Sequence, residues 1–151
     1  MKRIIIVLQI ITLVACTNSY NDFEDFRIFE FYYGHGGNED FSEQFVTYSI
    51  TLYYKDEMVF DINSIEPVLG AWIQDRMINH EISNINENQD ENFINIEGKV
   101  YYESDGLTKE SIDRKDRYEK SILGIVFQLD DGHKYKVTGF GESTIVEELT
   151  E

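Results

Sequence analysis

Few residues in this 151-residue chain have types and spacings that chemistry could use. Its histidines, His35, His80 and His133, fall in separate segments, without the i, i+4 spacing of a helical metal pair. Of these, His35 reads as a solvent-exposed residue of a glycine-rich turn, with a ligand or pH-sensitive contact as the alternative. His80 reads as the polar end of a helix and His133 as following a hairpin turn. The stretch Asn86-Glu87-Asn88-Gln89-Asp90-Glu91-Asn92 alternates oxygen-bearing side chains as a calcium loop does, and Glu97 falls where a closing carboxylate would sit. Glu91, however, stands where the sharp turn of such a loop needs glycine, so a polar hairpin loop is the better reading. Gly34-His35-Gly36-Gly37 lacks the Lys-Ser or Lys-Thr pair and following helix of a phosphate cradle. Carboxylates are abundant, but no spacing singles out an acid and a base, and no Gly-x-Ser-x-Gly turn presents a nucleophile. No catalytic residue, metal site or cofactor is assigned on these grounds.

The single thiol, Cys16, directly follows Leu13-Val14-Ala15. Before it come a basic start, Lys2 and Arg3, and an apolar run from Ile4 to Val14 broken only by Gln9 and Thr12. That run is too short for a bilayer span, which needs about 20 residues. A basic start, a short apolar core and a small residue at the cut are the parts of a secretory signal. The segment resembles a bacterial lipoprotein precursor, with Leu13 to Cys16 as its lipobox. The resemblance implies cleavage between Ala15 and Cys16, a diacylglycerol on the Cys16 sulfur, and a lipid anchor in the cell membrane on the extracytoplasmic face. Two acyl chains hold stably where one does not.

Acidic residues number 29 against 13 basic ones. Losing Lys2 and Arg3 with the leader lowers the basic count to 11 and takes the formal balance to −18. Such a surface is repelled by phosphate backbones, which argues against nucleic acid as a partner; it suits cations, cationic peptides or basic proteins, with plain solubility the better reading of the charge. With Cys16 committed to lipid, the core must hold without a disulfide. Domain organisation follows: a signal peptide over 1–15, the lipidated cysteine and a short tether over 16–24, one domain over 25–141, and an acidic end over 142–151 that reads as a tail or an edge strand.

Within the domain the pattern is that of strands. Phe26 to Tyr33 alternates, and Phe45 to Tyr54 alternates most clearly, with Val46, Tyr48, Ile50, Leu52 and Tyr54 on one face. Met58 to Ile62 begins another strand. Leu69, Trp72, Ile73 and Met77 recur at helical spacing after Pro67, predicting a helix from about Pro67 to Asn79 with Trp72 plugging an open end of the sheets. Glu81 to Ile85 reads as a strand, and Phe93 to Tyr102 as another with Ile94, Ile96, Val100 and Tyr102 inward. Thr108 caps a charged helix, Lys109 to Glu119. Ile122 to Leu129 and His133 to Thr138 form a hairpin about Asp131-Gly132.

About seven short strands with one or two short helices predict an immunoglobulin-like antiparallel β-sandwich. The residues Ile94-Asn95-Ile96-Glu97-Gly98-Lys99-Val100-Tyr101-Tyr102, then Gly106-Leu107-Thr108-Lys109-Glu110 and Ile125-Val126-Phe127, resemble small Ig-like extracellular modules of Gram-positive lipoproteins. There a strand leads into a short helix and a final hairpin. The paired cysteines of antibody domains are absent, so the resemblance implies architecture alone. Three tyrosine doublets place one ring inward and one outward, and Tyr33, Tyr53 and Tyr101 are the expected outward rings of a binding face. The functional expectation is a non-enzymatic, membrane-anchored module that binds a protein, peptide or envelope component. An envelope enzyme using acidic residues and an accessory subunit of a membrane complex are the alternatives.

Overall fold

The computed structural model describes residues 25–40, 43–55 and 58–150. Alternating apolar residues, bounded by turn-forming ones, give eight strands in two antiparallel sheets. The first sheet has the order β1-β2-β5-β4, from β1 (Phe26–Gly37), β2 (Gln44–Tyr54), β4 (Met77–Asn88) and β5 (Phe93–Tyr102). The second has the order β3-β6-β7-β8, from β3 (Phe60–Leu69), β6 (Ile122–Leu129), β7 (Lys134–Thr138) and β8 (Ile145–Leu149). With β1 to β7 lettered A to G, the two sheets of this β-sandwich have the strand orders ABED and CFG that a constant-type immunoglobulin domain would show, with an eighth strand beside G.

The predicted inner faces are the observed ones where alternation is strict. Val46, Tyr48, Ile50, Leu52 and Tyr54 of β2 are buried, and so are Ile94, Ile96, Val100 and Tyr102 of β5. They meet Ile122, Ile125, Phe127 and Val137 from the second sheet. At one end Phe26 packs edge-on to Phe127 at 5.0 Å, and Phe60 packs on Tyr54 at 5.1 Å. Each such side chain contributes about 1.5–3 kcal/mol by leaving water. α2 (Lys109–Tyr118) is capped as expected: Thr108 Oγ1 accepts from the Ser111 amide, and Ser111 Oγ accepts from the Thr108 amide. Its buried Ile112 pins it to the sandwich.

Several expectations are corrected. The helix read over Pro67 to Asn79 shrinks to one turn, α1 (Ala71–Gln74), because Pro67 belongs to β3 and Met77 opens β4. Proline is tolerated there since β3 is an edge strand of its sheet. The helical spacing came from joining a strand end, a single turn and an exposed strand start. β1 runs on through the glycines to Gly37, so His35 lies in a strand rather than a turn. His80 stands inside β4, not after a helix. Of the two readings for the acidic end, the structure takes the strand, with β8 pairing β7 from Lys134↔Leu149 to Thr138↔Ile145.

Register irregularities matter most. The register of β1 shifts at Phe29, between Ile28↔Leu52 and Glu30↔Thr51, which reverses the facing of the rest of β1. Phe31, Tyr33 and His35 therefore share the inner side with Phe26 and Ile28, while Tyr32 is left 66% exposed. The register of β4 shifts in the same way at Ile78 and Ser83.

Candidate functional site

The predicted tyrosine face does not form a continuous stripe. Tyr33 is turned inward by the Phe29 bulge, and its hydroxyl donates to Asp116 Oδ2 at 3.2 Å. Burial first, then the Asp116 charge, pushes its pKa up to about 12. Tyr53 and Tyr101 do lie on the outer face, but at opposite ends of it. Tyr53 packs with Phe29 and Phe93, and Tyr101 with Phe45, over which Lys99 Nζ sits at 5.0 Å. Eight residues of strand separate Phe45 from Tyr53, about 26 Å at strand rise. Between them runs a polar band in which Asn95 donates to Ser49 and Thr51, and Thr51 to Glu30. Ala15 and Cys16, the expected cleavage and lipidation residues, lie outside the described residues.

The structure gathers a constellation that the sequence gave no spacing for. His35 Nε2 lies 3.1 Å from Ser121 Oγ and 3.5 Å from Asp116 Oδ1, while Nδ1 lies 3.2 Å from the Tyr102 hydroxyl. Asp116 Oδ1 accepts from both the Ser121 hydroxyl and the Ser121 amide. His35 stacks on Trp72, whose indole N–H donates to the Glu119 carbonyl. The residue types are those of a nucleophilic triad, but the wiring is different. In a triad the carboxylate holds Nδ1 and leaves the serine proton for Nε2. Here the carboxylate takes the serine proton itself, and Ser121 is wholly buried. The cluster fastens α2 and the start of β6 to β1 and closes one end of the sandwich, the plug role expected of Trp72.

The remaining histidines differ in setting. His133 is exposed and pairs with Glu148 of β8, a contact that raises its pKa. His80 is half-buried, stacked on Tyr48, with Nε2 2.8 Å from the Tyr48 hydroxyl. Burial lowers the His80 pKa, against the opposing pull of Glu66 and Glu81, and burial raises that of Tyr48. The neutral tautomer that accepts from Tyr48 carries its proton on Nδ1. Gly98 makes this pairing possible, since a Cβ there would stand 2.4 Å from the Tyr48 oxygen.

His80 stands at the mouth of the seam between β3 and β4, the two edge strands on one flank of the sandwich. Two hollows open there, of about 630 Å³ and 490 Å³, and Glu66 and His80 line both. Ile62, Ile65, Ile82 and Ile85 line the first. Pro67, Leu69, Met77, Ile78 and Val126 line the second. Met77 is 47% and Ile78 70% exposed, so apolar surface is offered to the solvent at this edge. The Asn88–Asn92 segment, by contrast, closes as a tight hairpin: Asn88 Oδ1 accepts from the Glu91 amide, Asn92 takes φ 52°, and Glu97 is committed to the β2–β5 ladder opposite Ser49.

Sequence reasoning missed the seam because its walls come from strand edges distant in sequence. One signal was available: a proline inside an apolar strand marks an edge, and Glu66 precedes it. Compared with family models, curated proteins and solved structures, the chain matches none.

Proposed function

We propose that this protein is a membrane-anchored extracytoplasmic lipoprotein whose immunoglobulin-like sandwich is a binding module for a protein, peptide or envelope component. The observation that supports the binding role is the seam, where two strand edges and exposed Ile62, Met77 and Ile78 surround the carboxylate of Glu66, which has no ion pair among the described residues. Large exposed apolar surface beside free strand edges marks interaction sites. The anchor rests on Leu13 to Cys16 and the apolar run before it. The formal balance of −18 gives no basic patch to assist adhesion to anionic lipid, so the acyl chains carry the attachment. The eight residues from Thr17 to Glu24 span at most about 28 Å, which keeps the sandwich close to the bilayer.

Metabolic labelling with a fatty acid tests the anchor. The parent chain should take up label and fractionate with membranes, and Cys16→Ser should remain an unlabelled, larger precursor. Label on the Cys16→Ser chain, or a parent chain found unlabelled in the medium, overturns the reading.

A further inference from the structure

We propose that the β3–β4 seam takes an extended segment of a partner protein with a Lys or Arg flanked two residues away on each side by apolar side chains, added as a strand to the free edge of β4. The inference rests on the binding-module reading and names its ligand. Three observations carry it.

The first is the edge itself. Among the described residues β4 pairs only with β5, which leaves the backbone groups on its other side for an incoming strand. β3, facing it across the seam, is a poor template: its register breaks between Asp61 and Glu66, Ser64 Oγ takes over the Gln128 amide, and Pro67 has no N–H. The bulges at Ile78 and Ser83 bracket the regular run Asn79–Ile82, which would pair with the centre of the added segment.

The second is the shape of the seam. In an added strand, residues i−2, i and i+2 point the same way, about 7 Å apart. Facing the sandwich, such a triplet meets the isoleucine hollow, then Glu66 and His80, then the hollow of Pro67, Leu69 and Met77. An isoleucine floor rimmed by Asn63, Ser83 and Asn84, then a polar site, then an apolar wall thus follow one another along the seam.

The third is charge. Glu66 lines both hollows and has no ion pair among the described residues, while Lys136, the one basic side chain lining the second hollow, is bound to Glu147 at 2.8 Å. Neutral His80 offers no countercharge, since burial disfavours its protonated form. A cation at position i satisfies Glu66. A second copy of this chain would bring its own acidic surface, of formal balance −18, against the same carboxylate.

The test uses the full lipidated chain in detergent micelles and fluorescent peptides of sequence Thr-Ile-Thr-Lys-Thr-Ile-Thr, the same with Glu for Lys, and the Lys peptide with its alternate amides N-methylated. Fluorescence anisotropy should show the Lys peptide binding at least tenfold tighter than the Glu peptide, weakening as salt is raised. N-methylation should abolish binding. Glu66→Lys, at an exposed position, should lose at least tenfold for the Lys peptide, whereas Glu110→Lys on α2 should lose less than twofold. Equal losses in the two variants mean diffuse attraction to an acidic surface and overturn the proposal. So do equal affinities for the Lys and Glu peptides, retention of binding by the N-methylated peptide, no binding by any peptide, or a dimer in light scattering that Glu66→Lys breaks. Failure here with normal fatty-acid labelling removes only the seam's ligand. Absent labelling with intact peptide binding removes only the anchor.

Discussion

Replacing Gly98 by alanine should be the most informative single change in the sandwich. Its new methyl would stand 2.4 Å from the Tyr48 hydroxyl oxygen, 2.6 Å from Cζ of the same ring and 2.7 Å from the Glu81 carbonyl. The carbonyl belongs to the β4–β5 ladder and cannot swing aside, and the Tyr48 ring is 3% exposed, so neither neighbour has room to yield. Overpacking of this kind costs about 1–3 kcal/mol. Displacing Tyr48 also breaks its hydrogen bond to His80, worth about 1–2 kcal/mol between shielded groups. A total of about 3 kcal/mol corresponds to a fall of roughly 10 °C in Tm for a domain of this size. Thermal melts followed by circular dichroism measure it. Gly34→Ala is the control, because a methyl at Gly34 meets nothing within 4 Å and its strand position gains from losing glycine's freedom, so its Tm should hold or rise slightly. In a Tyr48→Phe background the oxygen contact is gone, and Gly98→Ala should cost at least about 1 kcal/mol less than in the parent. A Gly98→Ala melt within 2 °C of the parent (about 0.5 kcal/mol), or an equal fall for Gly34→Ala, would refute the packing argument.

Asp116→Asn should lower stability by about 2 kcal/mol, since one carboxylate serves the Ser121 amide, the Ser121 hydroxyl and the Tyr33 hydroxyl; hydrogen exchange in α2 should rise, and unchanged protection would contradict the lock. Tyr33, Tyr54 and Tyr102 are pushed up to about 12, chiefly by burial, while the unfolded chain ionises near 10. The unfolded state therefore loses protons first, and stability should fall as pH rises from 10 towards 12. Phenolate absorbance checks this: these rings titrating near 10 in the folded chain would sink it. His80 has the opposite dependence. Its folded pKa is lowered, so the unfolded chain takes up a proton first as pH drops below 6.5, and stability is lost in that window. The loss between pH 7.5 and 5.5 should be smaller in His80→Gln, and an equal loss in both chains would remove His80 from the account.

How far the fold could be read from the sequence depended on how each strand is buried. β2 and β5 have one face in the core and alternate in residue type, and β6 is a continuous apolar run beside a turn signal, so the bounds of all three came out within a residue. β4 is wet on both faces along most of its length and carries two bulges, so Met77 to His80 had no strand period to show and fell in with a helical one. The inward turn of Tyr33 and His35 hangs on the register shift at Phe29, and nothing local marks where along an aromatic run the register will shift. The cluster of His35, Tyr102, Asp116 and Ser121 was illegible for another reason: its members come from β1, β5, α2 and the start of β6, and only the closed sandwich brings them together. The reading of the thiol and leader rests on local order alone, and these residues lie outside the described ones.

The register shifts have a consequence for how this chain can change in length. Along a paired ladder, losing one codon turns every later side chain of that strand over, and isoleucines would go to water while threonines enter the core. Phe29, Ile78 and Ser83 are exempt, because each stands where the register of its strand already shifts. Deleting Phe29 closes the bulge and leaves Phe31, Tyr33 and His35 facing as they do, at the loss of its own contacts, the Tyr53 ring among them. Small insertions and deletions in descendants of this gene should therefore collect at these three positions and in the turns.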